Sequence, residues 1–322
     1  MRTTKRILCL FLLLAICLTV ACAKVEPTQE VPSASPTTAP TQTPTVPPTE
    51  TPTETPTQTP TVSPTQTTKP TFTPYPSRTP VTTEKKIIAL TFDDGPDYDT
   101  NGMLDVLAKH NVKATFFIKG LNLEYADYQP ILKRTAAEGH ELGNHTYIHP
   151  DIRNLSDEEF LLQQSKTNEK IKELTGQTPI LFRPPSGHFT DHLLEISPMP
   201  FILWQIDSWD WYRISPNPVA EYAKAHNISE EEATNQIADQ ILFEHGLGYL
   251  DAPAAPLVDR LAHGAIILFH DVHPGTAVLV DKLLTYIEEQ GEYTVMTVSD
   301  MLATIGTGPT QGKMYRSAWP QN

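Results

Sequence analysis

The 322-residue chain has three cysteines, Cys9, Cys17 and Cys22, and none beyond them. Everything downstream is therefore without an internal disulfide, a thiolate metal site or a cysteine nucleophile. Basic charge is also scarce, with 24 Lys and Arg against 38 Asp and Glu, a formal net charge of −14. A nucleic-acid binder needs a basic footprint to neutralise phosphates, so no nucleic-acid partner is expected. Long apolar runs are missing too. The longest, Ile7 to Ala21, covers 15 residues and is short for a membrane span.

What is there begins with a leader. Arg2, Lys5 and Arg6 precede that apolar run, the layout of a secretory signal over residues 1–22. The string Leu18-Thr19-Val20-Ala21-Cys22 resembles a bacterial lipobox, with Cys22 as the lipidated first mature residue. Thr19 departs from that pattern, and Ala21-Cys22-Ala23 also fits ordinary cleavage between small residues. An uncleaved anchor is the remaining alternative. The expectation is an extracellular protein, a lipoprotein held at the cell surface through Cys22 in preference to a freely secreted one. The membrane enters only through that signal or lipid.

Residues 23–83 form a Thr/Pro-rich linker. Between Lys24 and Thr83, 15 prolines and 21 threonines fall within 60 residues, and few apolar side chains offset the entropy of ordering. Such a segment is expected to be disordered with extended polyproline geometry, reaching on the order of 190 Å at full stretch. Its threonines are candidates for O-glycans. A spacer of that reach suits a tethered domain that works within a thick cell wall. Residues 84–322 carry 18 basic and 34 acidic side chains and are long enough to bury the core of one domain.

Within them, short apolar runs recur at 87–92, 115–118, 141–143, 180–182, 201–206, 265–269 and 293–298. Runs of this kind suit parallel strands buried on both faces. Helical patterns lie between. Leu104, Leu107 and Ala108 mark one face. Ser156 and Glu159 form a capping box ahead of a stripe of Phe160, Thr167, Ile171 and Leu174 that ends at Gly176. Leu279, Leu283, Tyr286 and Ile287 mark a late helix ending near Gly291. The expected α/β fold is a distorted (β/α) barrel of about seven parallel strands, with an open doubly wound sheet as the alternative. Either gathers an active site at the C-terminal strand ends. Residues 212–263 read as an insertion on the barrel rim, with a helix over 229–244. They either shape a substrate groove or form an elaborated crossover.

The residues after each strand carry the chemistry. Asp93 and Asp94 end the first, before a Gly-Pro turn. Successive strand residues point to opposite sides, so a turn must re-aim one of them to bring both into one site. His145 and His149 follow the third strand and converge on one ion if the loop makes a helical turn. Arg183, before Pro184-Pro185-Ser186-Gly187, suits a carboxylate held bidentately. Asp207-Ser208-Trp209-Asp210-Trp211 follows the fifth strand, and Leu268-Phe269-His270-Asp271 ends the next. Together these supply open N/O coordination, a base, an acid and an orienting cation, the parts of metal-assisted hydrolysis.

With these five segments in order over residues 86–305, the chain resembles the polysaccharide deacetylases of carbohydrate esterase family 4, the NodB-homology group. The family pattern T-F-D-D-G-P matches at 91–96, H-[ST]-x-x-H-P at 145–150, D-x-x-D-W at 207–211 and L-x-H-D at 268–271, with a looser arginine motif at 183–187. The resemblance implies a metal site of Asp94, His145 and His149, with Asp93 as general base and His270 as general acid. It implies that Arg183 holds Asp93, that Asp210 supports this charge network, and that Trp211 and Leu268 line the acetyl pocket. Ser186 stands where the family usually has an aromatic residue. Its backbone N–H, the expected oxyanion donor, survives the change, while the groove rim should open.

One divalent ion is expected, zinc first, with cobalt, nickel, manganese or iron as alternatives. The expected activity is hydrolysis of acetyl groups from an extracellular polysaccharide by a monomer, first of all N-acetylglucosamine in peptidoglycan. Chitooligosaccharides or acetylated xylan are alternative substrates. Trp204, Trp209 and Trp211 are candidates to stack on sugar faces, Trp204 being better placed as core. Two other readings use the same residues: a glycan-binding module without turnover, and a metal-dependent amidase for a non-sugar amide.

Overall fold

The structure, a computed structural model, describes residues 84–245, 255–306 and 308–321. The expected signal peptide, Cys22 and the Thr/Pro-rich linker lie outside them. Among the described residues no helix is long and apolar enough to cross a membrane.

Strand β1 (Lys86–Asp93) is buried along all but its first residue. Its alternation explains the continuous apolar run. Ile88, Leu90 and Phe92 join the large core under the helices, whereas Ile87 and Ala89 join a second core with Phe117, Ile202 and Ile266 inside the sheet's curve. Helix α1 (Thr100–Lys109) buries Met103, Leu104 and Leu107, but Ala108 faces solvent, contrary to its expected place on the buried face. Strand β2 (Thr115–Ile118), helix α2 (Gln129–Ala137) and strand β3 (Glu141–Asn144) follow. Helix α3 (Asp157–Thr175) starts with the Ser156–Glu159 capping box and stops at Gly176 with φ +76°. That left-handed terminus is open to glycine at little steric cost.

Helix α4 (Asp191–Ile196) leads to β4 (Phe201–Ile202) and β5 (Ile206–Asp207). One strand over 201–206 was expected. It breaks because it changes partner: Leu203 N–H donates to the Tyr315 carbonyl, while Gln205 N–H donates to that of Ile266. The run at 180–182 is reduced to Phe182, which bridges Asn144 on one side and Phe201 on the other.

Helices α5 (Asp210–Arg213), α6 (Pro216–His226) and α7 (Glu230–Phe243) fill much of the long stretch before β6 (Ile266–His270). Val219, Ala223, Ala233, Ile237 and Ile241 are buried in the same core as Leu279 and Leu283 of helix α8 (Pro274–Gln290). Of the two readings for 212–263, the elaborated crossover fits the described part, because its apolar stripes complete the main core. Strand β7 (Tyr293–Val295) ends earlier than expected. Thr297 caps helix α9 (Val298–Ile305) by accepting from Asp300 N–H, so Val298 is helical. Two short strands not foreseen, β8 (Met314–Tyr315) and β9 (Pro320–Gln321), add a parallel neighbour to β4 and one antiparallel pair.

The sheet order is β3-β2-β1-β6-β5, with β7 also on β1, and every pairing among these strands is parallel. Bridges through Phe182 carry the order on from β3 to β4. The result is the expected distorted (β/α) barrel.

Candidate active site

Register places the chemistry. In β1 the inward series Ile87, Ala89, Thr91 ends in Asp93, and in β6 Ile266 and Leu268 lead to His270. Asp93 pairs with His270 across the two strands. Asp207 pairs with Leu268, so the Asp207–Trp211 segment leaves the barrel beside His270.

Arg183 is wholly buried. Its Nη1 donates to Asp93 Oδ1 at 2.7 Å and to Thr91 Oγ1 at 2.8 Å. Nε and Nη2 donate to the carbonyls of Ile202 and Leu203, and the guanidinium lies 4.1 Å from the Phe117 ring centroid. The bidentate grip expected from sequence is therefore a single bond to Asp93. The other donors go to backbone and Thr91, because a buried guanidinium must satisfy all its N–H groups. Trp204 packs beside this guanidinium and the inner core, as a core residue does.

Asp94 has φ +74°, which turns its carboxylate away from the strand alternation. His145 and His149 approach it with Nε2 at 3.8 and 3.6 Å from Asp94 Oδ1. One ligand atom from each of the three lies within 4.8 Å of the others. The expected helical turn is absent. The loop instead uses left-handed backbone at Thr146 (φ +64°) and His149 (φ +58°), tied by Thr146 N–H to Asn144 Oδ1 and by His149 N–H to Thr146 Oγ1. His145 Nδ1 lies 2.8 Å from the Arg183 carbonyl, which can only accept. Nδ1 thus carries a proton, which leaves Nε2 as the nitrogen aimed at the cluster. Burial, reinforced by His145, holds the His149 imidazole below its usual pKa. For Asp94, burial is outweighed by His145 and His149, and its carboxyl sits below the usual range. One carboxylate and two imidazoles within reach of one point fit a divalent cation.

His270 and Asp210 form the other half. Asp210 is fully buried, with Oδ1 3.0 Å from His270 Nδ1 and Oδ2 accepting from the His270 N–H at 2.7 Å. Thr276 and Ser208 hydroxyls complete its shell. Burial alone would lower the His270 pKa, but Asp210, aided by Asp93 and Asp94, raises it to about 9. Leu268 is buried inside the mouth, and Trp211 is 43 % exposed, its ring stacked on Trp209 at 5.6 Å. Ser186 is exposed on a tight turn with φ +55°, and its side chain has no bond to the cluster. Thr91, Asn144, Ser208 and Thr276 were missed by sequence reasoning. Thr91 alone had a legible signal, two residues before Asp93 on the same strand face.

A (β/α) barrel whose strand ends bring together an Asp–His–His cluster, an arginine-held aspartate and an aspartate-held histidine defines a class of barrels poised for one divalent ion. The polysaccharide deacetylase family model matches residues 80–198. The chain is 32 % identical over 217 residues to the peptidoglycan-N-acetylglucosamine deacetylase PgdA of Listeria monocytogenes, covering 67 % of this chain and 39 % of that protein. It is 30 % identical over 226 residues to the peptidoglycan-N-acetylmuramic acid deacetylase PdaA of Bacillus subtilis, covering 68 % of this chain and 73 % of that one. Among solved structures, a family 4 acetyl xylan esterase from Clostridium thermocellum, in complex with a cobalt ion, superimposes with a TM-score of 0.57 at 28 % identity, covering 72 % of this chain and 98 % of that one. The chain belongs to the polysaccharide deacetylase family, carbohydrate esterase family 4. Its match spans about two fifths of the length of the first of these relatives.

Proposed function

We propose that the protein is a metal-dependent deacetylase of an extracellular polysaccharide, removing the N-acetyl group of N-acetylglucosamine in peptidoglycan. The observation that carries this reading is the convergence of Asp94, His145 and His149 beside the opposed pair Asp93 and His270. Asp94, His145 and His149 would hold the ion, which when bound polarises the acetyl carbonyl and lowers the pKa of water.

The protein's own groups do the rest. Asp93, with Oδ1 taken by Arg183, turns Oδ2 towards His145 Nε2 at 3.6 Å and accepts the proton of the attacking water. Arg183 at Asp93, and the ion that Asp94 would hold, relieve the repulsion between adjacent carboxylates. The Ser186 N–H donates to the oxygen on which charge develops. Leu268 and Trp211 bound the acetyl methyl. His270, kept protonated by Asp210, delivers its proton to the departing amine.

Zinc is the first candidate for the ion on the basis of two imidazoles and one carboxylate, with cobalt, nickel, manganese and iron as alternatives. Lipidation at Cys22 and a wall-spanning linker would place the domain among glycan strands. The named relatives act on peptidoglycan, PgdA on its N-acetylglucosamine and PdaA on its N-acetylmuramic acid, which supports peptidoglycan over chitooligosaccharides and acetylxylan. The test measures acetate release from peptidoglycan, chitohexaose and acetylxylan side by side, with and without chelator. Fastest release from peptidoglycan, abolished by chelator, is expected. An inert protein that still binds glycan would overturn the enzyme reading, and activity confined to non-sugar amides would overturn the substrate.

A further inference from the structure

Asp271 follows His270 at the end of β6 and takes no part in the chemistry above. The residue is 1 % exposed. Oδ2 accepts from Thr100 Oγ1 at 2.5 Å, and Oδ1 is buried with no hydrogen-bond partner. Burial raises its pKa to about 7. An under-satisfied buried carboxyl group opposes folding, so its position calls for a reason other than stability.

The reason lies directly above it. A Cβ added to Gly95 would meet Asp271 Oδ2 at 2.4 Å and Oδ1 at 2.7 Å. The carboxyl group occupies the space that glycine leaves open. Gly95 is the residue after Asp94, whose backbone is left-handed at φ +74°. Such a conformation in a residue with a side chain is strained and persists only where its surroundings over-determine it. The turn is gripped from two directions. Asn122 Nδ2 donates to the carbonyls of Asp94 and Pro96 at 2.7 and 3.1 Å, and Lys119 N–H to that of Gly95 at 3.1 Å. From β6, Asp271 seats against Gly95 and binds Thr100, whose Oγ1 in turn accepts from Asp97 N–H at 3.0 Å.

We propose that Asp271 is a positioning residue: through Gly95 and Thr100 it holds the 94–100 turn so that Asp94 faces His145 and His149 while Asp93 stays inward. The inference rests on the metal-site reading of those three residues.

The test uses the full chain freed of metal and titrated with Zn²⁺ by calorimetry, alongside kinetics. Asp271→Ala and Thr100→Val should each weaken zinc binding roughly ten- to a hundredfold. Both should lower kcat, with KM changing less than about twofold. Thr100→Ser, which keeps the hydroxyl, should restore both. The double variant should lose no more than the worse single one, because the two residues form one relay. Should Asp271→Ala fail to fold, Thr100→Val carries the test alone, since it exchanges a hydroxyl for a methyl. Wild-type zinc affinity in folded variants, with only the melting temperature lowered, would reduce Asp271 to packing and overturn the inference. An unaltered chain with no zinc affinity would remove the metal-site reading itself, and the inference with it.

Discussion

Asp93 and His270 stand opposite one another in adjacent parallel strands, both on the inward face. Parallel register therefore sets the proposed base and acid side by side, and no loop has to close to bring them together. Asp93→Asn keeps the shape and the Arg183 contact but removes the basic oxygen. Its kcat should fall by roughly 10²–10⁴-fold, the span of general-base catalysis. Metal content by elemental analysis should stay at the unmodified level, because Asp94 and the two histidines are untouched. Activity within tenfold of the unmodified protein would sink the base assignment.

Arg183 has no substitute inside the barrel. It serves Asp93, Thr91 and two backbone carbonyls at once, with no exposed surface. Arg183→Met leaves the buried Asp93 charge without its hydrogen-bonded guanidinium, which should destabilise the domain by about 3–5 kcal/mol. Urea denaturation of the metal-free protein measures this. Lys cannot reproduce it, since a single ammonium cannot reach four acceptors spread around a planar fork. Arg183→Lys should therefore lose most of the same stability.

Much of this geometry was legible because strand patterning is local. The apolar runs located β1, β2, β3 and β6, and the polar residues that interrupt each run at its C-terminal end marked the mouth. Ser156, Glu159 and Gly176 bounded α3 because capping is satisfied within four residues. What escaped depends on distant partners. The break between β4 and β5 follows from Tyr315, more than a hundred residues away. The convergence of His145 and His149 through left-handed backbone follows from Asn144 and Thr146 side chains, which no periodicity reveals. Asp271 looked like the tail of a motif, and only its packing on Gly95 gives it a role.

Metal removal should be visible without substrate. A ligand that binds only the folded state stabilises it by mass action, about 2.7 kcal/mol at a hundred times its dissociation constant. Chelator should thus lower the melting temperature, and added zinc should restore it. His149→Ala removes one of the three proposed ligands from a half-exposed position, so the fold should survive while the zinc-dependent rise in melting temperature disappears. A rise that persists in both His149→Ala and Asp94→Ala would place the ion elsewhere.

Asp210 should govern the alkaline limb of activity. Its carboxylate is the main reason that His270, against the effect of burial, titrates at about 9 and not near 6.5. A general acid works only while protonated, so kcat/KM should decline as pH rises through the His270 pKa. Asp210→Asn removes the charge and keeps a side chain of the same size. The limb should then move to lower pH, towards or below 6.5, because burial still lowers the imidazole pKa. Stability follows the same sign. A pKa raised in the folded state contributes stability that is complete below 6.5 and is lost between there and about 9. Metal-free protein should accordingly lose melting temperature across that window, and Asp210→Asn should flatten the slope. An alkaline limb that stays in place in Asp210→Asn would show that some group other than His270 delivers the proton.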